Sequence, residues 1–282
     1  MKDYLALTKP RITWLIVMST AIGYFFGADK SWSLLTLLHT LLGTALIASG
    51  TAALNQWYER EADARMRRTQ SRPLPAGRLN PRSALLFGIA ISLAGFLEMW
   101  LGANLLCALL GMFTLLTYLC VYTPLKQRSP HSTTVGAIPG AMPPLIGYAG
   151  AAGHLTVEAW ILFGILFLWQ FPHFYSIAWM YREDYERAGI RMLPVVEPDG
   201  LSTARQMVLY SLLLIPISLI PRWMGAEGNV YLIGATALGL FFLYSAIRVS
   251  LDRTRQRARR VLLASVLYLP LLYGLMLLDH LA

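Results

Sequence analysis

Apolar runs of about 17 residues or more recur along the whole chain, each long enough for one helix to cross a bilayer. No other feature narrows the fold so far. Backbone amides in hydrocarbon must find their hydrogen-bond partners within the protein, and a helix satisfies them within one segment. Nine such runs can be drawn, at 12–28, 33–57, 83–101, 104–123, 133–151, 159–180, 206–221, 230–247 and 261–279. A composition that is 56% hydrophobic and only 14% charged agrees with them. The expected fold is an all-α membrane protein, a nine-helix bundle read as one polytopic domain over 1–282. Its two acidic loops lie four spans apart, which suggests four-span halves at 12–123 and 133–247 plus a ninth span. Basic residues precede the first run with no small-residue cleavage site after it, so that run reads as a retained span.

The net charge of +9 would suit nucleic acid if it were clustered on one soluble face. It is distributed differently. Of the 24 lysines and arginines, 22 fall at the N-terminus or after spans two, four, six and eight, leaving Lys30 and Arg222 on the other side. By the positive-inside rule the first side is cytoplasmic, with the N-terminus inside and the C-terminus outside. The charge is thereby explained without nucleic acid, and the run from Arg253 to Arg260 reads as a topology and anionic-lipid signal. Cys107 and Cys120 share one apolar run, which implies neither a disulfide framework nor a cysteine metal site.

One cytoplasmic stretch, 53–79, concentrates the chemistry. No Gly or Pro interrupts it between Gly50 and Pro73, so the spacing predicts a helix leaving the bilayer and continuing through Thr69. On that helix Asn55, Glu59 and Asp63 recur at i, i+4 and i+8 and share a face. Two carboxylates one turn apart repel by about 0.2–0.5 kcal/mol. A hard cation reverses that sign, since Mg²⁺ takes one or two carboxylates together with substrate phosphates. Arg65, Arg67, Arg68, Arg72 and Arg78 follow, and guanidinium forks match phosphate oxygens. The plainer alternative is a solvated helix end, with Glu61 and Arg65 as an i, i+4 pair. In the second acidic loop, Glu183-Asp184-Tyr185-Glu186, Asp184 is the expected partner carboxylate, with Glu183 and Glu186 as further contributors.

Asn55-xxx-Glu59-xxx-Asp63 followed by Arg68-Thr69-xx-Arg72-Pro73-Leu74-Pro75-Ala76-Gly77 resembles the UbiA-type intramembrane prenyltransferases. Leu7-Thr8-Lys9-Pro10-Arg11 and Tyr122-Thr123-Pro124-Leu125-Lys126 extend the likeness. The stretch 136–148 and Trp169-Gln170-Phe171-Pro172-His173 are similar to the haem-farnesylating branch of that superfamily. Two departures stand out: Glu59 replaces the more usual Asp, and the second loop lacks a paired Asp-xxx-Asp.

The resemblance implies a bundle around a central cavity, in a bacterial inner membrane, acting on farnesyl diphosphate and haem B. It implies Mg²⁺ held by Asn55, Glu59, Asp63 and Asp184, these four forming the catalytic set. It implies diphosphate contacts from Lys9, Arg11, Arg68, Arg72 and Lys126, and a porphyrin contact from His173. A haem-A-forming enzyme or a terminal oxidase is the implied assembly partner. The rival readings are a quinone or other aromatic acceptor, and a transporter whose acids bind coupling ions at the midplane. The acids here lie at span ends, which weighs against transport.

Overall fold

The computed structural model describes residues 1–28 and 33–280, the side chain of His280 excepted. Lys30, one of the two basic residues expected on the outer side, lies outside the described residues. The described chain is helical throughout, with no strand among its elements.

Its helices in order are α1 (Lys2–Leu7), α2 (Pro10–Gly27), α3 (Leu34–Tyr58), α4 (Arg60–Arg65), α5 (Pro81–Gly102) and α6 (Leu105–Leu116). A π-helical turn, Thr117–Tyr122, continues α6 into α7 (Thr123–Leu125). Then come α8 (Ser132–Gly140), α9 (Pro143–Ala152), α10 (Val157–Met180), α11 (Arg182–Arg187) and α12 (Leu193–Val196). The chain ends in α13 (Leu201–Trp223), α14 (Asn229–Leu251) and α15 (Arg255–His280).

The boundaries follow local chemistry. Ser33, Asn80 and Asn104 cap α3, α5 and α6 through side-chain oxygens that accept the amides of Thr36, Arg82 and Cys107. Pro81 and Pro143 occupy first-turn positions where no amide is needed. Among the described residues seven helices are long and apolar enough to cross a membrane. These are α3, α5, α6 with its continuation to Leu125, α10, α13, α14 and α15. The first expected span is α2, of 18 residues, which is not among the seven. The fifth, expected as one span over 133–151, is not one helix: it divides into α8 and α9 at Ala141 and Met142, with Pro139, Pro143 and Pro144 flanking the break. Leucines such as Leu35, Leu86, Leu93 and Leu101 stay exposed, a distribution suited to lipid.

The expected helix through Thr69 is corrected in two places. It is interrupted at Glu59 (φ −88°, ψ 6°) and stops at Arg65, where Met66 turns extended (φ −96°, ψ 130°). The first break is shallow, since Glu59 N–H still donates to Asn55 O (2.9 Å) and Asp63 N–H to Glu59 O (2.8 Å). The second is fixed by Thr69, whose hydroxyl donates to Asp63 O at 2.9 Å. Glu61 does not take Arg65 as partner; it pairs with Arg60 at 3.3 Å.

The chain gathers into two compact units, Met1–Phe163 with Asp184–Ile190, and Gly164–Glu183 with Arg191–Ala282. In the first, α3 lies along α5 and α2 along α9. A Cβ on Gly147 would lie 1.8 Å from Thr20 O, and one on Gly23 would lie 2.0 Å from Pro144 O. Backbones this close admit only glycine, the small-residue contact typical of membrane helices. In the second unit α13, α14 and α15 pack in sequence. There Ser218 and Tyr268 share a hydrogen bond of 2.8 Å, and Asp279 caps α14 by accepting the amides of Gly228 (2.6 Å) and Tyr231 (3.0 Å).

Candidate active site

The site is assembled in the first unit from four pieces of chain. The end of α3 supplies Asn55 and Glu59, and α4 supplies Asp63. The loop after it brings Arg72, and α7 leads into Lys126. Burial makes these charges need partners, and Glu59, Asp63, Arg72 and Lys126 form two pairs. Lys126 Nζ donates to Glu59 Oε1 at 2.9 Å, with side chains only 13% and 11% exposed. Arg72 Nη1 donates to Asp63 Oδ2 at 2.6 Å, Asp63 being 1% exposed. Asn55 Nδ2 donates to Thr123 Oγ1 at 3.3 Å, and Thr123 in turn donates to Tyr118 O at 2.8 Å. That chain of bonds leaves the Asn55 carbonyl oxygen as the free end of its amide.

Lys9 closes the group from the N-terminal side. It sits between α1 and α2 in a left-handed conformation (φ 47°, ψ 62°), the one positive φ at a non-glycine among the described residues. Gln56 anchors this corner by donating to Leu7 O at 2.9 Å. Burial, and then the positive charges of Arg72 and Lys126, bring the Lys9 ammonium down to about 8. Glu59 and Lys126 shift the other way. Burial pushes the Glu59 carboxyl up, but Lys126, Lys9 and the Asn55 hydrogen bond outweigh it and hold the carboxyl below its usual range. Burial pulls Lys126 down, and Glu59 more than offsets this, so the ammonium stays charged.

The π-helical turn places two rings beside Lys126. Tyr118 and Tyr122 meet edge to face at 5.0 Å, with Lys126 Nζ 5.8 Å and 4.5 Å from their centroids. Behind this polar face lies a cavity of ≈ 160 Å³. Apolar side chains dominate its lining, Ile12, Ile16, Ile47 and Ile146 among them, and among the described residues Lys9 is the only charged one lining it. Tyr118 belongs to the same wall. An anionic head at Lys9 with an apolar tail in the cavity is the ligand shape this geometry accepts.

The remaining expected residues are placed as follows. Asp184 is buried and belongs to this unit, accepting the Arg67 amide at 3.4 Å and a short hydrogen bond from Arg187. Arg68 donates to the Tyr185 hydroxyl at 3.5 Å. Arg11 is exposed on α2 and does not line the cavity. Glu183 and Glu186 are exposed. His173 stands in the second unit, where its Nδ1 lies 2.8 Å from Ser265 Oγ. Sequence reasoning gave no role to Tyr118, Thr123, Arg187 or Ser265. Arg187 carried a readable signal, its i+3 spacing from Asp184; the others depend on contacts across helices.

The donor set suits Mg²⁺. Asp63 Oδ1 is buried without a hydrogen-bond partner, while Glu59 and the Asn55 amide add hard oxygens. No group of three or more His, Cys, Asp and Glu residues that could hold a metal is present among the described residues. A metal here would therefore complete its shell with ligand oxygens, as Mg²⁺ does at phosphate sites.

Residues 16–269 match the UbiA prenyltransferase family. The chain is 67% identical to a protoheme IX farnesyltransferase of Solibacter usitatus, over 99% of both chains. It is 48% identical to another of Koribacter versatilis, over 99% of this chain and 94% of that one. Its fold is similar to a digeranylgeranylglyceryl phosphate synthase structure, with a TM-score of 0.82 at 18% identity, covering 99% of this chain and 98% of that one. It is also similar to an Archaeoglobus fulgidus UbiA homologue bound to DMAPP and Mg²⁺, with a TM-score of 0.66 at 18% identity over 97% and 99%. The chain belongs to the UbiA prenyltransferase family.

Proposed function

We infer that this chain transfers the farnesyl group of farnesyl diphosphate to a vinyl group of haem B, with addition of water, giving haem O and diphosphate. The observation that carries the donor half is Lys9, which lines the apolar cavity and stands in the field of Glu59, Asp63, Arg72 and Lys126. The acceptor half rests on the full-length likeness to protoheme IX farnesyltransferases.

The residues divide the work by charge. Asn55, Glu59 and Asp63 are the groups we assign to Mg²⁺, with Asp184 as the carboxylate from the second loop. Mg²⁺, when bound, supplies neutralisation of the diphosphate charge. Lys9, Arg72 and Lys126 donate to diphosphate oxygens, with Arg68 at the rim. As the allylic C–O bond breaks, its electron pair leaves with the diphosphate, and these donors stabilise the growing negative charge. Tyr118, which lines the cavity, and Tyr122 beside it are the rings we assign to stabilising the allylic cation, with the apolar wall to keep water from it. The vinyl π electrons then form the new C–C bond. Water adds its oxygen to the resulting cation and loses a proton, giving the hydroxyethylfarnesyl group.

His173 is the residue we assign to the porphyrin. The protein is placed in the bacterial cytoplasmic membrane, N-terminus inside and C-terminus outside, which the charge asymmetry supports. A haem-A-forming enzyme or terminal oxidase is the partner class that would take the product. The deciding experiment supplies purified protein with haem B, farnesyl diphosphate and Mg²⁺ and weighs the pigment formed. A product heavier than haem B by one farnesyl group and one hydroxyl is expected. Recovery of unmodified haem B alone would refute the assignment.

A further inference from the structure

His173 and Ser265 make a hydrogen bond whose direction can be deduced. Ser265 is fully buried on α15, and its hydroxyl has one proton to give. That proton is committed. Ser265 Oγ lies 2.6 Å from Leu262 O, a carbonyl that can only accept. The contact of 2.8 Å between His173 Nδ1 and Ser265 Oγ must therefore run from the ring to the hydroxyl. A neutral imidazole with its proton on Nδ1 carries its lone pair on Nε2.

The surroundings keep the ring in that orientation. Trp169, one turn earlier on α10, stacks on His173 with centroids 4.8 Å apart and planes 23° from parallel. The same indole donates from Nε1 to Ser265 O at 2.8 Å, so Ser265 anchors both rings of the stack. Ser176 donates to His173 O at 2.7 Å and fixes the backbone beneath them. None of the described hydrogen bonds uses Nε2, and the residue is only partly buried. Exchanging the two ring nitrogens would break the bond to Ser265.

We propose that Ser265 is a positioning residue that fixes His173 as the Nδ1–H tautomer and so presents Nε2 as an axial ligand to the iron of substrate haem B. The proposal rests on the assignment of His173 to the porphyrin. Its chemistry is that of metal-bound histidines generally: the second ring nitrogen donates to an oxygen, which orients the ring and raises the basicity of the ligating nitrogen. Loss of such a partner typically weakens metal binding by about 10–100-fold, and a neutral hydroxyl belongs at the low end of that range.

The test titrates haem B into the full detergent-solubilised chain and its variants, reading affinity and the iron–imidazole stretching frequency of the ferrous complex. Wild-type protein should show nitrogen ligation that His173→Ala abolishes and added imidazole restores. Ser265→Ala should keep nitrogen ligation, lower the stretching frequency and weaken binding about tenfold. Ser265→Thr, which keeps the hydroxyl, should return both toward wild type. If Ser265→Ala matches wild type in frequency and affinity, the role of Ser265 is overturned while that of His173 stands. If His173→Ala leaves the haem spectrum unchanged, both assignments fall. A further measurement needs no Ser265 variant. ¹⁵N shifts of histidine-labelled, haem-free wild-type protein, with the His173 signal identified by its loss in His173→Ala, should report a proton on Nδ1. A proton on Nε2 would refute the proposal whether or not Ser265→Ala folds.

Discussion

Asp63 carries two assignments on one carboxylate: Oδ2 is held by Arg72, and Oδ1 is buried without a partner. Asp63→Asn removes the charge at nearly constant volume. Turnover should fall by at least ~100-fold, the scale set by about 2.7–4 kcal/mol of lost charge stabilisation at a reacting group. Expression and thermal stability of the variant decide whether the loss is chemical. Lys9 makes a different prediction, because its ammonium titrates near pH 8. Below that value it is charged and attracts diphosphate; above it the attraction is lost. Affinity for inorganic diphosphate should therefore fall as pH rises through about 8. Lys9→Met should remove that component, and an unchanged pH profile in the variant would exclude Lys9 from the anion site. The left-handed backbone at Lys9 adds a second readout. Lys9→Gly should be more stable than Lys9→Ala by about 1 kcal/mol, since glycine adopts positive φ without strain, while both lose the charge.

The α2·α9 contact sets how near the Lys9 corner can lie to the wall carrying Pro143 and Ile146. A side chain at Gly147 would meet the backbone of Thr20, which has no rotamer to yield. Gly147→Ala should cost about 1–3 kcal/mol, the range for overpacking, and Gly147→Val more. Thermal unfolding in detergent measures this. A variant as stable as wild type would mean that the two helices can separate freely. The π-helical turn has a comparable local purpose. It brings Tyr118 and Tyr122 together beside Lys126, where a continuous α-helix of about 3.6 residues per turn would give these residues a different relative rotation.

At the scale of the molecule, the topology proposed from the charge asymmetry predicts that the loop at 66–80 faces the cytoplasm. Gln70 is exposed in that loop. A single cysteine there, in a background lacking Cys107 and Cys120, should resist an impermeant thiol reagent in intact cells and react after permeabilisation. Labelling of intact cells at the rate of an outer-loop control would overturn the topology.

The spans were legible because a helix in hydrocarbon satisfies its own backbone, so length and hydropathy alone reveal it. The shared face of Asn55, Glu59 and Asp63 was legible for a related reason: helical periodicity is local and survives the shallow break at Glu59. The break itself, the stop at Arg65 and the division of the fifth span at Ala141 and Met142 were less so, since loop contacts and neighbouring backbones decide them. Partner choice was legible least of all. Lys126 reaches Glu59 across 67 residues, and Ser265 reaches His173 across 92. Many arginines and lysines in the sequence could have served Glu59 equally well by charge. Helix packing selected Lys126, because a buried carboxylate is satisfied only by the cation that the neighbouring backbone brings within hydrogen-bond reach.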